Sequence, residues 1–234
     1  MDGFTFRTAN EDDIDSLVAF ETAIEAGLPN REMFAIDGRE FYEPLVGGQG
    51  RILLAMDSQG ELAGVNVLRF PPADDPENLG LNLGLPEAKL AQVLHLESAF
   101  IRPDCRGRNL ARILTDINLE GARDHGRTIR TATAWPGNAP SLATLTKMGL
   151  GIRAFAYKYG GRPRFVLSDW GPRADTSAAP LLIEAFDFEG HCHALGQGFI
   201  GTRVLPREEA SLLTPADAPF PPFNIAYLPP EHLS

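Results

Sequence analysis

The feature that most constrains this chain is the run Ile101-Arg102-Pro103-Asp104-Cys105-Arg106-Gly107-Arg108-Asn109-Leu110-Ala111. Before it, Val93 to Ile101 reads as a β-strand that stops at Arg102-Pro103-Asp104. After it, Leu110, Ile113, Leu114, Ile117 and Gly121 share one stripe of an amphipathic helix, with Arg112, Asp116, Glu120 and Arg123 opposite. A strand that passes through a small-residue turn directly into a helix leaves several backbone N–H groups unpaired and aimed at one point. The positive end of the helix dipole reinforces them, so the turn is a ready anion site. Gly107 lets the backbone approach closely, and Arg106 and Arg108 add charge suited to phosphate oxygens. The plain alternative is an ordinary tight strand-to-helix connection.

The charge distribution agrees with a small anionic ligand. The chain carries a formal charge of −10, yet from Glu97 to Trp170 twelve Lys and Arg stand against six Asp and Glu, so that stretch is +6 and the rest −16. A basic island in an acidic protein suits a compact polyanion, whereas a nucleic-acid binder usually carries a broad basic footprint. No nucleic acid is therefore expected as a partner. The first residues lack a basic segment followed by an apolar stretch, and no run approaches the roughly 18 apolar residues of a membrane span, so neither secretion nor membrane insertion is expected. Two cysteines, Cys105 and Cys192, are too few for a disulfide framework. A cytoplasmic setting follows as the default.

Along the chain, Phe4 and Phe6 alternate as in a first strand, and Asn10-Glu11-Asp12-Asp13 precedes Ile14, Leu17, Val18 and Ile24 at helical spacing. A second short helix with irregular flanks is expected within residues 27–50. Arg51 to Asp57 and Glu61 to Phe70 read as a hairpin about Ser58-Gln59-Gly60. Residues 71–91, rich in proline, glycine and asparagine, make a long connection. Thr128 to Ala134 reads as a strand, Asn138 caps a further helix closed by Gly149, and Gly151 to Lys158 with Arg164 to Trp170 forms a last hairpin. Beyond Gly171-Pro172 the composition shifts toward Ala and Pro, with strand-like pieces at Leu181 to Phe188 and Gly198 to Leu205. The expected division is a domain over 1–170 and an extension over 171–234.

The run at Arg106 resembles the phosphate-binding motif of the GNAT family of acyl-CoA transferases, with Arg106, Asn109 and Ala111 at its marked positions. Asn109 replaces the family's central glycine. Asn138, with Pro140-Ser141-Leu142 and Lys147-Met148-Gly149-Leu150, is similar to the family's later helix, and the order of elements from Phe4 to Trp170 follows that of the family. The resemblance implies an α+β fold layered αβα, with a mixed, mostly antiparallel central sheet flanked by helices. It implies acetyl-CoA as acyl donor and no metal, with Arg106, Gly107, Arg108, Asn109, Leu110 and Ala111 at the pyrophosphate. The backbone of Ala99, Phe100 and Ile101 would pair with the pantetheine arm, and Asn138 would contact the cofactor arm or the acceptor. Direct attack by an amine needs a base. Glu97 is the candidate, with His95 two residues earlier as partner or substitute. The family's helix tyrosine is Leu145 here, so Tyr157 and Tyr159 are the nearest candidates for the acid.

The acceptor implied is a primary amine of a small molecule or of a protein, and a homodimer is left open. A rival reading is a non-catalytic acyl-CoA-binding module, motivated by Asn109 and the missing tyrosine. Cys105 lies in the phosphate loop without a positioned base, which argues against a covalent acyl-enzyme. Gly196-Gln197-Gly198-Phe199-Ile200-Gly201 spells a dinucleotide-like pattern but neither follows a clear strand nor opens a helix. His191-Cys192-His193, read as a strand, offers metal-ligand atoms with no second pair to close a site.

Overall fold

The computed structural model of the chain describes residues 3–28, 30, 38–208, 213–215 and 218–231. In chain order the strands are β1 (Phe4–Thr8), β2 (Gly50–Asp57), β3 (Leu62–Arg69), β4 (Val93–Ile101), β5 (Ile129–Ala134), β6 (Gly151–Lys158), β7 (Arg162–Ser168), β8 (Leu181–Glu184), β9 (Ile200–Pro206) and β10 (Phe223–Leu228). The helices are α1 (Ile14–Ala26), α2 (Arg39–Pro44), α3 (Leu79–Asn82), α4 (Glu87–Leu90), α5 (Leu110–Gly121), α6 (Ala139–Lys147) and α7 (Phe188–Gly196). They fall into two compact units, Met1–Asn78 with Glu87–Thr128, and Leu79–Pro86 with Ile129–Ser234.

In the first unit β1, β2, β3 and β4 pair in that order, each ladder antiparallel. The acidic turn before α1 forms a capping box: the Asn10 side chain accepts from the Asp12 N–H, and the Asp13 carboxylate accepts from the Asn10 N–H at 2.9 Å. Arg7 grips the same carboxylate at 2.7 and 2.6 Å and holds Asp13 below the usual carboxyl range. Ile14, Leu17 and Ile24 of α1 then pack with Tyr42 and Leu45 against Ile52, Leu54, Val65 and Val67 on one sheet face. On the other face Leu110 and Leu114 of α5 pack against Leu53, Ala55 and Ala63. The helix lies so close that a Cβ on Gly64 would meet Leu114 Cδ1 at 3.0 Å and Ile101 Cδ1 at 2.8 Å.

The helix expected within 27–50 is α2, while residues 29 and 31–37 of that stretch lie outside the described residues. The connection expected over 71–91 carries the short helices α3 and α4. Asn78, fully buried, ties its own part of this connection together by donating to the carbonyls of Pro72 and Leu90, each at 3.1 Å. None of the described helices is long and apolar enough to cross a membrane.

In the second unit the order is β5, β7, β6, β9, β10, β8, again with antiparallel ladders. Asn138 caps α6 as its side-chain oxygen accepts from the Ser141 N–H at 3.2 Å, with Pro140 in the first turn where its missing N–H costs nothing. Residues beyond 171 belong to this unit: β9 reaches β6 at Ile152 and Gly201, and the Phe188 ring of α7 lies 5.2 Å from that of Phe155. Residues 209–212, 216–217 and 232–234 of the tail lie outside those described.

Two readings of the tail are corrected. Leu181 to Phe188 is β8 followed by the start of α7, and His191-Cys192-His193 lies on that helix rather than on a strand. The reason is Asp187, whose carboxylate accepts from the Gly190 N–H at 2.9 Å and starts a helix that two glycines would otherwise disfavour. Strand β10, set behind a proline-rich stretch, was not foreseen. The glycine pattern from Gly196 to Gly201 runs from helix end through a left-handed Gly198 into β9, the reverse of a strand-to-helix phosphate turn.

His191 is buried, its Nε2 3.2 Å from the Ala185 carbonyl and its Nδ1 3.0 Å from the Tyr227 hydroxyl. A neutral ring satisfies both, with Nε2–H donating to the carbonyl and Nδ1 accepting from the tyrosine. Burial pushes His191 down to about 4 and Tyr227 up. The unfolded chain takes the histidine proton first, so this contribution is complete above about pH 6.5 and is lost as pH falls toward 4. We predict that urea unfolding loses on the order of 3 kcal/mol between pH 7 and pH 4 from this group. His191→Gln should flatten the dependence by that amount, and an unchanged slope would contradict the assignment.

Candidate functional site

The strand-to-helix handover is built from three restraints. Arg102 directly follows the last residue of β4, and its N–H donates to the Ala63 carbonyl at 2.9 Å. Its guanidinium bonds Asp57 at 2.7 Å, Asp104 at 2.8 Å and the Leu62 carbonyl at 3.3 Å, which pins the chain to the β2–β3 turn. Arg102 in turn lowers both carboxyl pKa values, and its own is raised. A single turn of 3-10 helix over Pro103–Cys105 follows, with Cys105 buried in the apolar cluster under α5. That burial removes the thiol from any reaction at the surface of the loop.

Next come Gly107 at φ 76° and Asn109 at φ 59°, ψ 17°, both left-handed. Asparagine is one of the few side chains that adopt this conformation at low cost, which explains how it stands where the motif of the GNAT family has glycine. The Ile113 N–H makes the first bond into the helix, to the Asn109 carbonyl at 3.1 Å. The N–H groups of Leu110, Ala111 and Arg112 precede it, and the Asn109 side chain does not cap them. The first turn contains no acidic residue, so nothing there opposes an anion. Arg106, Gly107, Arg108 and Asn109 are all exposed. Arg106 Nε donates to the Ile101 carbonyl at 3.1 Å, and the Arg108 guanidinium lies 6.0 Å from the centre of the Phe4 ring.

On β4, Ala99, Phe100 and Ile101 pair with Asn66, Val65 and Gly64 of β3. In such a ladder alternate residues direct their N–H and C=O away from the partner, so part of this backbone faces the other way. Further back the register slips: Ser98 opposes Val67, but Leu96 opposes Leu68, so Glu97 is the extra residue of a β-bulge. Its carboxylate, 16% exposed, lies 3.3 Å from Nδ1 of His95, which is 4% exposed. The two thus meet as their spacing suggested, although the strand between them is not regular.

In the second unit, Asn138 commits its amide oxygen to the cap of α6. Tyr157 lies on β6 and is 65% exposed, with its ring edge-on to Phe155 at 5.5 Å. Tyr159, expected on the same strand, lies past its end at φ 50°. Its hydroxyl is 3.2 Å from Thr133 Oγ1, and the Arg164 guanidinium sits 5.4 Å from its ring centre.

Sequence reasoning passed over Asn66, Thr115 and Asn118. The signal was available: Asn66 interrupts the apolar run Leu62 to Leu68, and Thr115 and Asn118 are polar residues three apart on a helix, hence neighbours. All three are buried, and Thr115 and Asn118 each bond the Asn66 side chain.

The left-handed turn yields a direct prediction for stability. Asn109→Gly should leave the denaturant midpoint within about 0.5 kcal/mol of the parent, whereas Asn109→Val should cost about 1–2 kcal/mol through backbone strain. Equal midpoints for the two variants would contradict the conformation described.

No family model matches the sequence, and no curated protein matches it. Solved structures do. The ribosomal-protein-S18-alanine N-acetyltransferase of Escherichia coli is similar over 75% of this chain and 99% of its own, at TM-score 0.53 and 12% identity. Arabidopsis thaliana NAA60 in complex with acetyl-CoA is similar over 70% and 97%, at TM-score 0.52 and 16% identity. A GNAT-family acetyltransferase of Streptococcus pneumoniae is similar over 70% and 98%, at TM-score 0.51 and 16% identity. Identities this low speak to architecture alone, and on architecture they agree: the chain carries the GNAT acetyltransferase fold.

Proposed function

We propose that this protein is an acyl-CoA-dependent N-acetyltransferase that moves an acetyl group from acetyl-CoA to a primary amine of a small molecule or protein. The observation that carries the reading is the uncapped N-terminus of α5, entered through left-handed Gly107 and Asn109 and flanked by exposed Arg106 and Arg108. Such a turn supplies converging N–H donors and a positive helix end, which is what a diphosphate needs. The fold shared with acetyltransferases, one of them in complex with acetyl-CoA, supports the same reading.

In this mechanism Arg106 to Ala111 hold the pyrophosphate, and the backbone of Ala99, Phe100 and Ile101 aligns the pantetheine amides. Fixing the thioester in place converts a bimolecular encounter into a positioned attack. The acceptor nitrogen attacks the thioester carbonyl, and Glu97 takes its proton, directly or through water. His95 beside it, buried and at hydrogen-bonding distance, orients the carboxylate. As the C–S bond breaks, the thiolate leaves and takes up a proton from a hydroxyl or from water. The acidic remainder of the chain, at −16, favours a cationic acceptor.

Mixing the protein with acetyl-CoA and a library of amines should release free CoA for at least one acceptor. Tight CoA binding without turnover for any amine would instead indicate a sensing module. With an acceptor in hand, Glu97→Gln should lower kcat by about 100-fold or more while the calorimetric Kd for CoA stays within about twofold. Unchanged turnover would remove Glu97 from the chemistry. Gly107→Val should weaken CoA binding at least tenfold, by about 1.4 kcal/mol or more, because a branched side chain disfavours φ 76° and stands between backbone and phosphate. Unchanged affinity would place the cofactor elsewhere.

A further inference from the structure

The β-bulge at Glu97 is not left to the sheet alone. Asn66, on the neighbouring strand β3 and 2% exposed, donates its amide nitrogen to the Ser98 carbonyl at 3.3 Å and to Thr115 Oγ1 at 3.1 Å. Thr115 donates its own hydroxyl to the Ala111 carbonyl in the first turn of α5, at 2.8 Å. Asn118, one turn further on and fully buried, donates to Asn66 Oδ1 at 2.8 Å, to the Asn66 carbonyl at 3.1 Å and to the Arg51 carbonyl at 3.2 Å. Both polar ends of the Asn66 side chain are therefore held, and its orientation is set from the helix.

Burying three polar side chains where apolar ones would pack costs stability unless each is bonded, and replacing all three by apolar groups would be the simpler core. Strand β3 is otherwise Leu, Ala, Gly and Val from Leu62 to Leu68. What the network adds is a fixed position for the Ser98 carbonyl. Beside a bulge the ladder is locally disrupted, because the extra residue Glu97 has no partner in it, so a bond from Asn66 to the next residue's carbonyl restrains the backbone there. That carbonyl belongs to the peptide joining Ser98 to Ala99, where the chain rejoins the ladder directly after the bulge, so holding it fixes the anchor from which the backbone at Glu97 departs. The other end of the chain of bonds is Ala111, within the turn proposed for the diphosphate.

We propose that Asn66, oriented by Thr115 and Asn118, is a positioning residue: it locks the β-bulge that aims Glu97 and ties that aim to the N-terminal turns of α5. The inference rests on the acetyltransferase reading for its catalytic meaning, but the geometry it asserts is measurable without turnover. Bonds from one side chain to both the bulge and the cofactor helix make the base's position sensitive to the helix, so a loss here shows in the chemistry before it shows in cofactor affinity.

The test compares Thr115→Val, which keeps the shape and drops the hydroxyl, with Thr115→Ser, which restores it, and with Asn66→Ala. Each is checked for folding by its melting curve. In Thr115→Val, kcat should fall about tenfold, the order of one lost hydrogen bond, with Kd for CoA within about twofold. The acid limb of the kcat–pH profile should move, and Thr115→Ser should recover both. The carboxyl carbon of Glu97, identified by NMR through its loss in Glu97→Gln, should titrate at a different pH in Thr115→Val and Asn66→Ala than in the parent. Parent-like kcat and parent-like titration in folded Thr115→Val would overturn the proposal, as would a fall in kcat matched by the same fall in CoA affinity. If the parent itself turns over no amine, the acetyltransferase reading fails, and the Glu97 titration alone then decides: moved supports the positioning role, unmoved overturns it.

Discussion

Everything functional in the first unit depends on one covalent transition, from the last residue of β4 to the first of α5. A chain that leaves a strand for a helix must satisfy or expose the helix's first N–H groups, and here they are left uncapped. Keeping them exposed demands that the loop neither collapses onto them nor frays. Arg102 meets the second requirement by tying the strand end to Asp57, Asp104 and the Leu62 carbonyl. Gly107 and Asn109 meet the first, because two left-handed residues turn the chain outward before the helix begins. The apolar packing of Leu110 and Leu114 beneath then holds the helix axis against the sheet.

The same helix has a second task on its buried side. A wholly apolar stripe would have served packing, yet Thr115 and Asn118 reach down to Asn66 and through it to the strand that carries Glu97. The uncapped helix end and the bulge are thus parts of one bonded assembly within the first unit. The second unit shows a different use of a buried polar group, in which His191 and Tyr227 join α7 to β10 by a bond that needs the neutral imidazole.

Much of this was legible in the residues because it is local. Strand-to-helix order, the hairpin about Ser58-Gln59-Gly60, the cap at Asn138 and the left-handed tolerance of Asn109 all follow from neighbours a few positions apart. What escaped was non-local or masked by composition. The bulge at Glu97 exists only in the register between β3 and β4, which no periodicity records. Asn66 gains its meaning from Thr115 and Asn118, about fifty positions away in sequence. Helix α7 contains glycines and histidines that read poorly as helix, and its start depends on the single cap supplied by Asp187. Tyr159 follows Tyr157 by two residues, yet it lies past the end of β6, where the backbone turns.

The central claim is that the amides from Gly107 to Arg112 receive the diphosphate of coenzyme A. Titrating isotope-labelled protein with CoA and following the backbone amide resonances tests it most directly. Saturable shifts are expected at Gly107, Arg108, Asn109, Leu110, Ala111 and Arg112, with excess inorganic pyrophosphate at matched ionic strength weakening the apparent affinity for CoA by competing for the same groups. Binding that leaves these six resonances in place, or no binding at millimolar CoA, would contradict it.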